Sequence, residues 1–99
     1  MNPNESPAPT IRHDQAAHRF ETTFDGYNSV LEYDVDGERA VFTHTFVPPE
    51  LRGRGIAEKL VRAGLAWAQG EGKRVVPACS YVDIFIQRHP EFQSLLDQK

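Results

Sequence analysis

Polar and apolar residues alternate most regularly between Val30 and Val47. Leu31, Tyr33 and Val35 interleave with Glu32 and Asp34, the period-two pattern of a half-buried strand. Farther on, Ala40, Phe42, His44 and Phe46 fall on one face of an extended segment, with Val41, Thr43, Thr45 and Val47 on the other. Two such faces fit a strand with helices on both sides. Between the two strands, Asp36-Gly37 tolerates the positive φ of a type I′ turn. A loop of those two residues pairs Val35 with Glu38, Asp34 with Arg39, Tyr33 with Ala40 and Leu31 with Phe42. An earlier strand is expected over 17–24, where β-branched and aromatic residues recur with weaker alternation, and Asp25-Gly26 with Tyr27-Asn28 supplies the turn after it.

The period changes after Pro48 and Pro49, which offer no amide to a ladder. Ile56, Leu60, Gly64 and Trp67, flanked by Ala57, Val61, Leu65 and Ala68, recur at helical spacing, so a helix is predicted from about Gly55 to Gln69. Gly70 and Gly72 offer its C-cap. Lys73 to Pro77 reads as a short strand, and strand, helix and strand in succession imply a right-handed crossover with parallel pairing. Cys79 then lies at the carboxyl end of that strand, where open α/β sheets take their ligands. Ser80 with Asp83 has the spacing of a capping box opening a further helix through Val82, Ile84, Phe85 and Ile86. Pro90 ends that helix or restarts a short last one carrying Phe92, Leu95 and Leu96. The fold class is α/β with a mixed sheet: three antiparallel strands, a β-α-β crossover and a C-terminal helix.

Ninety-nine residues suit one domain with one modest core. Residues 1–10, with Pro3, Pro7 and Pro9 among polar neighbours, present no periodic apolar face and are expected to form a disordered tail, leaving 11–99 as the folded domain. A formal charge of −3 argues against a general nucleic-acid binder, although Arg52, Arg54, Arg62, Lys73 and Arg74 form local cationic groups. A single cysteine excludes an internal disulfide, and the N-terminus has no signal-peptide pattern. No apolar run approaches the roughly 20 residues of a membrane span. A soluble, cytoplasmic protein, monomeric or weakly dimeric, is the expectation. His13, His18 and His89 show no metal-ligand spacing, and Tyr33 and Trp67 read as core.

The chemistry concentrates in Leu51-Arg52-Gly53-Arg54-Gly55-Ile56-Ala57, where small residues alternate with cations at a helix start. Glycines let backbone approach a ligand, and free amides at a helix N-terminus attract phosphate. The spacing lacks the lysine and hydroxyl of a nucleoside-triphosphate loop and the three glycines of a dinucleotide fold. Cys79 stands outside a second helix start, where the dipole, together with cations such as Lys73 and Arg74, favours thiolate; a small buried apolar role is the alternative. His44, between Phe42 and Phe46, is either a hydrogen-bonded core residue or a proton acceptor.

Arg52-Gly53-Arg54-Gly55-Ile56-Ala57 resembles the Q/R-x-x-G-x-G/A loop of the GCN5-related N-acetyltransferases. Thr43 to Pro48, Val75 to Cys79 and Arg88 to Phe92 extend the resemblance to a minimal single-domain subgroup, over about residues 17–97. It implies a trimmed acetyltransferase fold that binds acetyl-CoA, with the pyrophosphate on the amides from Arg52 through Gly53, Arg54, Gly55 and Ile56 to Ala57. The pantetheine would follow Val47 and the thioester would lie between His44 and Cys79. Tyr81 matches loosely a tyrosine that protonates the leaving thiolate. The implied reaction moves acetyl to a primary amine, on a small molecule or a protein lysine. Because the strands and helices that build an acceptor pocket in larger members are missing, the alternative is a non-catalytic coenzyme A sensor or protein-interaction module.

Overall fold

The computed structural model describes residues 10–97. Five strands form one sheet in sequence order: β1 (Arg12–Asp14), β2 (Arg19–Phe24), β3 (Tyr27–Asp36), β4 (Arg39–Phe46) and β5 (Arg74–Pro77). The first four are antiparallel neighbours, and β5 runs parallel to β4, from Arg39 opposite Arg74 to Phe42 opposite Pro77. Helix α1 (Ile56–Gly70) makes the crossover, and α2 (Ser80–Arg88) follows β5. His89 leaves α2, and Pro90–Leu95 forms a 3-10 turn, so Pro90 both follows the helix end and opens a new turn. The expected mixed α/β architecture is present, with one more antiparallel strand than the sequence pattern indicated.

That extra strand is β1, too short to show a period. Its His13 stacks on Phe20 at 4.0 Å, meets Trp67 edge-on at 5.0 Å and hydrogen-bonds the Tyr33 hydroxyl at 2.6 Å. Aromatic packing, more than alternation, therefore fixes β1. Asp14 accepts the Ala17 amide at 3.1 Å and His18 takes φ 56°, so β2 begins at Arg19 and not at residue 17. The expected buried place of Tyr33 holds, while Trp67 is partly buried against the same cluster.

Both hairpins differ in detail from the sequence reading. Asp25 and Gly26 have φ of 52° and 79°, the type I′ pattern, and Tyr27 and Asn28 already belong to β3. At the second hairpin Asp36 pairs with Arg39, so the loop is Gly37-Glu38, one residue later than expected. Gly37 alone carries positive φ there, as in a II′ turn. The pairs become Val35 with Ala40 and Tyr33 with Phe42, which sets apolar partners opposite each other. A bulge follows: Glu32 pairs with His44 and Leu31 with Thr45, leaving Thr43 as the extra residue. Its hydroxyl donates to the Glu32 carbonyl at 3.2 Å.

The bulge overturns the expected faces of β4. Before it, Ala40 and Phe42 turn into the core with Leu31, Tyr33 and Val75. After it, Thr45 takes the core side opposite Leu31, and His44 is exposed on the other face beside Glu32. The two-sided helical cover expected for β4 is also absent among the described residues. Ile56, Leu60, Val61 and Leu65 of α1 and Val82, Phe85 and Ile86 of α2 share one core, and Arg62 of α1 lies over the Phe85 ring at 5.3 Å. Both helices thus lie on one side, while the opposite face shows half-buried or exposed Val30, Glu32, Asp34, Val41 and His44.

Gly64 marks the closest approach of α1 to the sheet. A Cβ there would stand 2.8 Å from Leu31 Cδ2 and 2.9 Å from Phe42 Cε1. The missing side chain lets helix and sheet meet. The tail expected at 1–10 lies outside the described residues except for Thr10.

Candidate functional site

Beyond Phe42 and Pro77 the parallel pair ends, and β4 continues through its bulge paired only with β3. Cys79 stays attached, its amide donating to the Phe42 carbonyl at 2.8 Å. A cleft of about 460 Å³ opens beside this divergence, between the end of β4, the segment leading into α1, and Tyr81 of α2. The chain reaches α1 through a 3-10 turn at Pro49–Leu51 whose Leu51 is buried. Arg52 donates from Nε to the Val47 carbonyl at 3.1 Å, which ties the loop back to the strand end.

Gly53 and Gly55 then take φ of 83° and 76°, a region that L side chains rarely occupy. No atom lies within 4 Å of where their Cβ atoms would stand, so the glycines answer to backbone conformation and leave open space above the loop. Gly55 is the N-cap of α1, and no side chain caps the helix. Its first amides are therefore free for an outside acceptor, with the positive end of the helix dipole behind them. This arrangement fits a pyrophosphate.

Seven of the residues singled out in the sequence line this cleft: Val47, Arg52, Gly53, Gly55, Ile56, Ala57 and Tyr81. Arg54 does not. It pairs with Asp25 at 3.1 Å and lies over the Phe24 ring at 5.7 Å, so it braces the loop against the β2–β3 turn. Leu51, which opens the loop stretch, also lines it, and pattern reading assigned no site role to Thr45, Phe46 and Glu58, which line it too. The bulge that brings Thr45 inward leaves no trace in the alternation. Glu58 was legible as a first-turn acid of α1 but not as part of the cleft wall.

Cys79 sits behind Thr45, whose hydroxyl is 3.4 Å from Sγ. It is the N-cap of α2, so the expected capping box of Ser80 and Asp83 does not form; Asp83 instead accepts from Gln87 at 3.1 Å. Burial pushes the thiol pKa up, but the Thr45 hydroxyl and the backbone amides of Val82, Tyr81 and Thr45 outweigh it and hold the pKa below the usual thiol value. Neither helix amide closes into a capping hydrogen bond, so their influence is that of oriented dipoles. Lys73 and Arg74 contribute nothing here, because they stand at the other end of β5, next to Arg39. Tyr81 is pushed the opposite way, first by burial and then by the Glu58 charge, and remains a proton-bearing phenol at neutral pH.

His44 does not line the cleft. It lies two residues beyond the carbonyl that anchors Cys79, on the helix-free face. The divergence of β4 and β5 thus has a thiol and a hydroxyl toward the helices and an imidazole on the far side. No cluster of His, Cys, Asp and Glu among the described residues could hold a metal. No helix among them is long and apolar enough to cross a membrane.

Comparison with known proteins agrees with this fold. Residues 19–95 match the family model described as GCN5-related N-acetyl-transferase. Protein NATD1 of Bos taurus is 35% identical over 83 residues, covering 81% of this chain and 74% of the relative. Protein NATD1 of Danio rerio is 31% identical over 88 residues, covering 86% and 80%. A Staphylococcus aureus protein whose NMR solution structure is described as GCN5-like shares the fold, with a TM-score of 0.72 at 22% identity over 91% of this chain and 89% of that one. The chain belongs to the GCN5-related N-acetyltransferase family.

Proposed function

We propose that the protein moves an acetyl group from acetyl-CoA to a primary amine. The observation that carries this reading is the uncapped start of α1, where Gly53 and Gly55 leave open space above free amides at one end of a 460 Å³ cleft. The amides from Gly53 to Ala57 would receive the pyrophosphate, and Val47 would run beside the pantetheine. Thr45 and Cys79 would then border the thioester. Arg54, held by Asp25, keeps the loop in place more than it touches phosphate.

Four residues divide the chemistry. His44 accepts a proton from the attacking amine as its nitrogen bonds to the thioester carbonyl carbon. As the carbon–sulfur bond breaks, Tyr81 supplies a proton to the departing thiolate; burial first and the Glu58 charge second keep the phenol protonated until then. Thr45 keeps the Cys79 sulfur oriented behind the cleft wall. Direct attack is preferred to a Cys79 relay, because transfer between two sulfurs gains little while a positioned amine needs only orientation and proton removal.

Intact-protein mass spectrometry with acetyl-CoA, before and after adding an amine panel, tests this reading. Acetylated amine without an adduct on the protein is expected, and Cys79→Ala should cost less turnover than His44→Ala. An adduct of about 42 Da on Cys79 that disappears on adding amine at the turnover rate contradicts direct attack. Coenzyme binding with no acetylated amine favours a sensor, a second reading motivated by the uncovered sheet face.

A further inference from the structure

Two neighbouring strands present three successive rungs on the helix-free face: Val30 with Phe46, Glu32 with His44, and Asp34 with Val41. Phe46 is 43% exposed, and no side chain among the described residues closes over His44. Glu32 and Asp34 form no ion pair among the described residues: Arg19, which stands opposite Glu32 on β2, is turned to Glu21, which Arg12 also engages. A flat acidic and apolar strip therefore runs along the far side of the strand divergence from Cys79.

We infer that this strip is the acceptor's docking surface and that the acceptor is a lysine in a basic polypeptide segment. The inference rests on the acetyl-transfer reading above. A small amine gains its affinity by being largely enclosed, which takes a concave site of several hundred Å³. The sheet face around His44 offers no second wall among the described residues. A polypeptide supplies its own cover and spreads its contacts over a flat area. Val30 and Phe46 suit the methylene stem of a lysine, and Glu32 beside His44 draws the ammonium to the group that takes its proton. Asp34, one rung farther, suits a neighbouring Lys or Arg. Charges placed this way govern partner choice and capture rate.

Steady-state kinetics with acetyl-CoA test the assignment on three acceptors: a lysine peptide flanked by Lys and Arg, the same peptide flanked by Asp and Glu, and spermidine. The basic peptide should have the highest kcat/KM, by about tenfold over either competitor. In the double variant Glu32→Lys, Asp34→Lys, that value should fall at least about tenfold and the acidic-flanked peptide should gain. Stabilisation by acetyl-CoA should be unchanged in the same variant, which separates this surface from the coenzyme cleft. Retained coenzyme stabilisation with spermidine preferred, or with no response to the charge reversal, overturns the docking surface alone. Absence of coenzyme stabilisation in the unmodified protein overturns the acetyl-transfer reading, and the docking surface with it.

Discussion

The middle and the start of α1 each depend on glycine, for opposite reasons. Gly64 has ordinary helical backbone and no room: Leu31 and Phe42, both fully buried, stand where its Cβ would go. Gly55 has nothing within 4 Å and an unusual backbone, with φ at 76°. One glycine brings a helix onto a sheet; the other turns the chain so that amides face an open cleft. From sequence both are simply glycines near a helix. The difference teaches that close packing and the opening of the cleft are set by separate turns of the same helix, and so can be disturbed separately.

The largest effect should come from filling the packed turn. Gly64→Val must displace Leu31 and Phe42, both fully buried, and overpacking of this kind costs about 3 kcal/mol. For a domain of this size the melting temperature should fall by more than about 10 °C, measured by circular dichroism. An unchanged melting temperature would mean that the contact at Gly64 is slack.

At the cleft end, Thr45→Val should act on chemistry and hardly on folding. Without the hydroxyl the Cys79 thiolate loses a stabilising partner, so its pKa should rise. The iodoacetamide alkylation rate, followed against pH, should then have its midpoint at higher pH than in the unmodified protein, and Thr45→Ser should restore it. Equal profiles would remove Thr45 from the account of the thiol.

The sequence carried more of the packed region than of the cleft. Helical spacing from Ile56 to Ala68 and the parallel crossover to β5 were legible because an apolar period reports burial directly. Cys79 at the end of β5 followed from that topology. What escaped was set by single residues: Gly37 taking the first loop position shifted the hairpin by one, and Thr43 as an extra residue exchanged His44 for Thr45 on the inner face. A bulge leaves the alternation of a sequence intact, since it alters pairing and not residue order. β1 was invisible for another reason, because His13 is held by stacking on Phe20 of the next strand and by edge contact with Trp67, far along the chain.

That stacking gives a smaller, pH-dependent effect in the packed region. Burial lowers the His13 pKa below 6.5, against an opposing pull from Asp14. As pH falls through that value the unfolded chain takes up the proton before the folded one, so stability is lost from there down to the folded-state pKa and levels off below it. Urea titrations at pH values from about 7 to about 5 should show a shallower decline in His13→Gln than in the unmodified protein. The same slope in both would assign the dependence to other groups.

Arg54→Ala should do least. The Arg54–Asp25 pair is half exposed on both sides, and such pairs contribute about 0–1 kcal/mol. Melting should shift by only a few degrees and coenzyme affinity by about threefold, the latter shrinking in high salt. A collapse of coenzyme binding would place Arg54 directly on phosphate, contrary to its pairing with Asp25.

Whether the start of α1 holds the coenzyme is tested most directly by thermal unfolding of the unmodified protein and Gly55→Ala with and without acetyl-CoA. Alanine at a left-handed position should cost about 1 kcal/mol by itself, and its methyl would intrude on the space above the amides. With acetyl-CoA at about 100 Kd the unmodified protein should gain about 2.7 kcal/mol, whereas Gly55→Ala, still folded, should gain little or nothing at that concentration. Equal stabilisation of both proteins, or none of the unmodified protein, would contradict the account.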